Sequence, residues 1–164
     1  MPDHVDDILR QWAEARPDLD VSPMGVIGRL TRLARVLDGE LRKTFARHDL
    51  DRSSFDVLAT LRRAGTLTPN DLMRSAMITS GAVTQRLDRL EERGLVVRAP
   101  DETNGRRVLV DLTEKGLELI DRALPDHVDT EHRLLSAVSP QERDELASML
   151  RNLLQSLGDA AQED

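Results

Sequence analysis

The chain has no cysteine and no tyrosine, and aromatic residues make up 2% of it. Without thiols there is no disulfide scaffold, no thiolate zinc site and no thiol-based redox sensor. Trp12, Phe45 and Phe55 are its three aromatics, too few for a sheet or barrel that stacks nucleobases on ring platforms. No run approaches the roughly eighteen apolar residues a membrane span needs. The first residues, Met1-Pro2-Asp3-His4-Val5-Asp6-Asp7, are acidic where a secretory signal is basic and then apolar. These absences predict a soluble, cytoplasmic protein with no membrane partner.

What remains is a globular composition. Hydrophobic residues contribute 39% and charged residues 32% of 164 positions, enough for one domain, or one domain with appended helices, to bury a core. A net charge of −7 argues at first against a nucleic-acid partner. The distribution reverses that impression. Residues 57–113 hold nine arginines (62, 63, 74, 86, 89, 93, 98, 106 and 107) against seven acids, a local +2. The flanks therefore carry the acid, and the middle is the part suited to phosphates.

Helical periodicity dominates the pattern. Val5, Ile8, Leu9 and Trp12 share a face over about 3–16, ended by Pro17, and 17–23 reads as a linker. From Met24 to about His48, apolar positions from Val26 to Phe45 keep one face for about six turns. A third helix spans about 53–64, with Ser53 as its cap and Asp56 three residues on, complementing the helix dipole. Thr68-Pro69-Asn70-Asp71 opens a short helix. Ala76-Met77-Ile78 interrupts it, and Thr79 or Ser80 caps the next, which packs through Val83, Leu87 and Leu90 and ends at Gly94. Leu95–Arg98 and Val108–Leu112 form a hairpin around a turn-rich tip. A helix over about 116–138 should kink or break at Pro125. Ser139-Pro140-Gln141-Glu142 is a capping box before a leucine-rich final helix.

Two short helices, a turn between them and a two-stranded hairpin describe a winged helix-turn-helix within a mainly helical fold. Its second helix has two faces. Opposite the apolar row lie Ser80, Gly81, Thr84, Gln85, Asp88 and Arg89, and such amides, hydroxyls and guanidinium groups match base edges in a major groove. Arg106 and Arg107 at the hairpin tip would reach an adjacent minor groove or phosphates. The candidate DNA-binding residues are thus Thr79, Ser80, Thr84, Gln85, Arg89, Arg106 and Arg107. The long helix and the leucine-rich last helix offer more apolar stripe than one small domain covers, which predicts a homodimer. The corresponding division is 1–52 for N-terminal dimerisation, 53–113 for DNA binding, and 114–164 for C-terminal dimerisation.

The run Ser80-Gly81-Ala82-Val83-Thr84-Gln85-Arg86-Leu87-Asp88-Arg89-Leu90-Glu91-Glu92-Arg93-Gly94-Leu95-Val96, then Arg98, Arg106, Val110 and Leu112-Thr113, resembles the multiple antibiotic resistance regulator (MarR) family. The resemblance covers roughly residues 24 to 157 in helix order and is specific through 53 to 116. It implies a homodimer on a palindromic promoter site, released by a small phenolic or anionic ligand. Where the family often has an Asp-Arg-Arg wing, this chain has Asn104-Gly105-Arg106.

An extra first helix with a tryptophan resembles the family's urate-responsive branch. That likeness implies a ligand site of Trp12, Asp56, Arg86 and Arg98, with 1–52 also forming the wall of its pocket. Arginine forks suit the oxygens of a planar weak acid and an aromatic wall suits its faces. Repulsion between the bound anion and Asp56 would push the third helix against the reading helix and release DNA.

Two other readings stand beside this one. Asp126, His127, Asp129, Glu131 and His132, with His127 and Glu131 four apart on one face, admit a metal-responsive regulator. A helical interaction module without DNA is the other. No phosphate-binding glycine loop, cysteine nucleophile or supported Ser-His-Asp set is present, so neither an enzyme nor a cofactor is expected.

Overall fold

A computed structural model describes residues 1–75 and 80–159, with the side chains of 80–82 left out. They fall into two compact units, residues 1–127 and those from 128 onward. The first begins with α1 (His4–Ala15), which Asp3 caps. Asp3 accepts the N–H of Val5 and Asp6 at 2.8 and 3.1 Å, and the Asp6 carboxylate accepts the Asp3 N–H at 2.7 Å. The helix α2 (Ser22–Ala46) starts two residues earlier than Met24 because Pro23 fits a first helical turn, where its missing N–H has no partner to lose. Val5 is buried against α2 beside Gly28, and Arg29 grips Asp3 at 2.9 Å and Asp6 at 2.6 Å.

The cap of α3 (Arg52–Ala64) differs from the sequence expectation: Asp51, not Ser53, accepts the Ser54 N–H, at 2.7 Å. Aspartate caps as well as serine. Leu50 before the cap and Phe55 after it are both buried in the core, a hydrophobic staple that sets this entry point. With the start moved, Asp56 lies in the second turn and loses the dipole role expected of it.

A pair of short helices follows as α4 (Pro69–Ser75) and α5 (Ser80–Glu92). The break expected at 76–78 and the cap at Thr79 lie outside the described residues. Gly94, at φ 68°, ends α5 in a left-handed turn. Its N–H reaches the Glu91 carbonyl at 2.8 Å and the Leu95 N–H reaches that of Leu90 at 2.9 Å, the double bond that closes such helix ends. The strands β1 (Val96–Pro100) and β2 (Val108–Leu112) pair antiparallel with Arg98 opposite Val110. Leu67, just ahead of α4, exchanges both backbone bonds with Val110 at 3.1 and 2.8 Å, so the wing is tied to the helix pair at its base.

Val83, Leu87 and Leu90 of α5 are all at most 2% exposed, packed in one cluster with Phe45, Phe55, Leu58, Leu72 and Ile120. Each such side chain contributes roughly 1.5–3 kcal/mol. The helix α6 (Glu114–Leu134) contains Pro125 without interruption and ends four residues before Val138. In the second unit, Ser139 and Glu142 form the expected capping box for α7 (Pro140–Ser156). Much of the predicted apolar stripe remains uncovered: Val26, Ile27, Leu33, Met149, Leu154 and Leu157 are 49–75% exposed.

One position tests this packing sharply. A Cβ on buried Gly116 would sit 1.9 Å from the Leu95 carbonyl oxygen, whereas one on Gly39 meets nothing within 4 Å. Gly116→Ala is expected to lower the denaturation midpoint by at least about 2 kcal/mol of stability. Gly39→Ala should raise it by about 0.5–1 kcal/mol, since alanine is the better helix former. Equal midpoints in chemical denaturation would refute this description of the junction.

Candidate nucleic-acid interface and ligand site

The burial of Val83, Leu87 and Leu90 fixes which side of α5 meets solvent. Thr84, Gln85 and Arg89 are exposed on it, and so are Arg106 and Arg107 of the wing. Of the remaining expected DNA-contacting residues, Thr79 and the side chain of Ser80 lie outside the described residues. The wing tip is ordered by Asp101, which accepts the backbone and hydroxyl of Thr103 at 2.9 and 2.7 Å. The Asp101 N–H donates to the Arg107 carbonyl at 2.9 Å, closing the hairpin without an Asp-Arg-Arg sequence. The Arg107 guanidinium lies 3.9 Å from Asp71 of α4, and Arg74 pairs with the same carboxylate at 2.7 Å. Arg106, Arg107, Arg74 and Asn70 border one cleft between α4 and the wing. The arrangement gathers cations from α4 and the wing around one cleft, suited to consecutive phosphates.

The four residues of the expected ligand site are distributed differently. Arg86 lies on α5 next to the exposed row, its side chain 18% exposed. Its Nη1 donates to both oxygens of Asp51 at 2.7 Å, while its Nε is buried with no acceptor. Asp56 stands one turn into α3, half-buried. Burial pushes its carboxyl above the ordinary aspartate range, an effect only partly offset by Arg52 at 3.9 Å and, more weakly, by His127 and Arg86. Arg86 and Asp56 thus belong to one neighbourhood.

Arg98 is held elsewhere. From β1 its guanidinium reaches Glu91 at 2.5 Å and Asp88 at 2.7 Å, and its backbone N–H donates to Glu91 at 3.1 Å. These contacts pull the Glu91 carboxyl below its usual range. Trp12 is on α1, which packs against α2, and the residue is 40% exposed. A largely apolar cleft of about 570 Å³ opens nearby, lined by Ile8, Leu9, Pro23, Met24 and Ile27.

Two acids escaped the sequence reading, Asp51 and Glu91, and a third, Asp88, expected on the outer row of α5, is instead part-buried and paired with Arg98. Asp51 had a local signal, a capping residue between Leu50 and Phe55. The pairing of Asp88 and Glu91 with Arg98 spans a helix end and a strand start, and only the fold brings it about. As for the metal reading, no three His, Asp or Glu side chains among the described residues gather to hold an ion. His127 instead stacks on Phe45 and lies tilted against Phe55, with ring centroids 5.5 and 4.7 Å away.

A winged helix-turn-helix with cations at the reading helix and wing defines a DNA-binding protein. The MarR family profile matches residues 48–107. The transcriptional regulator PecS of Dickeya dadantii is 42% identical over 149 residues, 89% of this chain and 90% of PecS. A structure describing regulation of DNA binding of Bordetella bronchiseptica BpsR by 6-hydroxynicotinic acid matches with TM-score 0.73 and 26% identity, covering 83% of this chain and 94% of BpsR. A cysteine-to-serine variant of E. coli MarR in complex with operator DNA matches equally well, at TM-score 0.73 and 26% identity over 87% of this chain and 97% of its own. The chain belongs to the MarR family. It is a DNA-binding transcriptional regulator and not an enzyme.

Two measurements check the assignments made from this geometry. Gln85→Ala should lose about 1–3 kcal/mol of discrimination at one base pair of the bound site, whereas Arg106→Ala with Arg107→Ala should flatten the salt slope by about two without changing preference. Competition binding across single-base variants, repeated at several salt concentrations, separates the two. The raised pKa of Asp56 gives a second test. Its charged form is disfavoured by folding, so its contribution is best in acid and is lost as pH rises through the folded-state pKa. Asp56→Asn should therefore raise the melting temperature at pH 7, and the gain should shrink as pH falls below the aspartate range. A gain independent of pH would contradict the burial argument.

Proposed function

We propose that the chain acts as a homodimer on a palindromic promoter site, represses there, and is released by a small planar anion of which urate is the specific candidate. The observation that carries this is the position of Arg86: a part-buried guanidinium with an unused Nε on the very helix that presents Gln85 and Arg89 to DNA. An anion bound there acts on the reading helix directly. Arg86 and Asp56 form its polar end, Arg98 supplies a second fork once it leaves Asp88 and Glu91, and Trp12 provides a ring wall. The 6-hydroxynicotinic acid named for BpsR is likewise a planar heteroaromatic acid, the same chemical class. Release requires only that the ligand bind the DNA-incompatible arrangement more tightly.

The dimer follows from the apolar side chains one chain leaves in water. Met24, Val26, Ile27 and Leu33 on α2, and Met149, Leu153 and Leu154 on α7, are 39–61% exposed, far more than a solvated helix face carries without a partner. Two-fold pairing sets the reading helices about 34 Å apart, one turn of DNA. Such a protein sediments as a dimer.

The experiment is fluorescence anisotropy on the DNA upstream of the protein's own gene. Binding should weaken steeply with salt, and urate should reverse it. Asp56→Asn should bind DNA as the parent does but need more urate for release. Release at the parent's urate concentration would remove Asp56 from the switch, and indifference to urate would remove the ligand.

A further inference from the structure

Resting on the reading of Arg106 and Arg107 as DNA contacts, we propose that Asn104-Gly105 at the wing tip is a self-modification site, where the Asn104 amide is hydrolysed through a cyclic imide to a carboxylate that weakens the hold of the wing on DNA. Asparagine is a labile side chain, and the group that attacks it is the backbone nitrogen of the next residue. The chain has three asparagines. Asn70 lies in α4, where the next N–H is taken by the Thr68 hydroxyl at 3.2 Å, and Asn152 lies in α7, where the next N–H belongs to the helix ladder. Asn104 is exposed in the turn between β1 and β2, and it alone is followed by glycine.

The local geometry leaves the reacting groups free. The Gly105 N–H makes no hydrogen bond among the described residues, although its neighbours do: the Asn104 N–H donates to the Asp101 carbonyl at 3.2 Å and the Arg107 N–H to the Asn104 carbonyl at 2.8 Å. Asn104 Oδ1 accepts the Arg106 N–H at a long 3.4 Å, which draws electron density from Cγ, while Nδ2, the leaving group, bonds to nothing among them. Neither backbone nor packing calls for glycine at 105. Its φ lies outside the left-handed region, and a Cβ added to it meets nothing within 4 Å. What glycine supplies is an unshielded nitrogen, because a side chain there would stand over the approach to Cγ. Two guanidinium groups follow directly in sequence, and their charge favours loss of the N–H proton.

Water is the one co-reactant. The Gly105 nitrogen gives its proton to solvent base and bonds to Asn104 Cγ, the Cγ–Nδ2 bond breaks, and Nδ2 leaves as ammonia with a proton from water. Water then opens the imide, at Cγ to give aspartate or at the main-chain carbonyl to give isoaspartate. One amide and one water become one carboxylate and one ammonium ion, with no change of oxidation state. The new charge stands two residues from Arg106, whose guanidinium pairs with no acid among the described residues, and next to that from Arg107, which Asp71 already approaches at 3.9 Å. A carboxylate there competes with phosphate for both, by about threefold per wing and about tenfold for two wings at aqueous dielectric. Solvent does not reverse the change, so the wing weakens with the age of the protein.

The test ages the full chain at mildly alkaline pH and follows two readouts: mass spectrometry of the tryptic peptide 99–106, and DNA affinity at several salt concentrations. The parent should convert at Asn104 ahead of Asn70 and Asn152, faster as pH rises, and lose about tenfold in affinity with a flatter salt slope and an unchanged melting temperature. Asn104→Gln, which would need a larger ring, and Gly105→Ala should start at the parent's affinity and keep it, and either suffices if the other does not fold. Asn104→Asp should bind weakly without ageing. Conversion no faster at Asn104 than at the helical asparagines would overturn the inference. So would parental affinity in Asn104→Asp while Arg106→Ala binds more weakly, a result that leaves the wing as a DNA contact. Parental affinity in Arg106→Ala as well would overturn the reading of the wing and this inference with it.

Discussion

The helix α5 is bound to its protein in two distinct ways, and the rest of the molecule depends on both. Val83, Leu87 and Leu90 bury one stripe in the core, an attachment that is strong and indifferent to charge. Beside that stripe, Arg86 pairs with Asp51, while Asp88 and Glu91 pair with Arg98 of the wing. Such part-exposed ion pairs add little to stability. They do fix the rotation and reach of a helix whose next row, Thr84, Gln85 and Arg89, faces outward. Hydrophobic burial makes the helix permanent, and the ion pairs make its setting adjustable.

This separation explains why an acidic chain binds an acidic polymer. Its net charge of −7 governs behaviour at long range, but groove and phosphate contacts act within a screening length of about 8–10 Å. On α5 and the wing tip, Arg89, Arg106 and Arg107 are exposed among the described residues. Several acids there, Asp51, Asp71, Asp88 and Glu91, are engaged by arginines and do not stand free against phosphate.

Much of this architecture was legible in the sequence because it rests on periodicity and capping, which are local. The order of the seven helices and one hairpin among the described residues, the apolar row of α5 and the Ser139 capping box follow from local spacing. The cap of α3 did not, because Asp51 and Ser53 are chemically equal candidates and only the burial of Leu50 and Phe55 chooses between them. The continuity of α6 through Pro125 was likewise hidden, since proline removes only one backbone hydrogen bond and the rest of the helix ladder can persist around it. Arg86 and Arg98 stood out as candidates by type and position. Their carboxylate partners did not, because Asp51 is 35 residues from Arg86 in sequence and meets it only through the packing of α3 against α5.

The central claim is that one helix reads DNA on its outer row and answers to a planar anion on its inner one. Hydroxyl-radical footprinting of the upstream region tests both halves in one experiment. The account predicts two protected patches on one face of the duplex, about ten base pairs apart, fading together as urate is added. Protection confined to a single patch, or a two-patch footprint that persists at saturating urate, would contradict it.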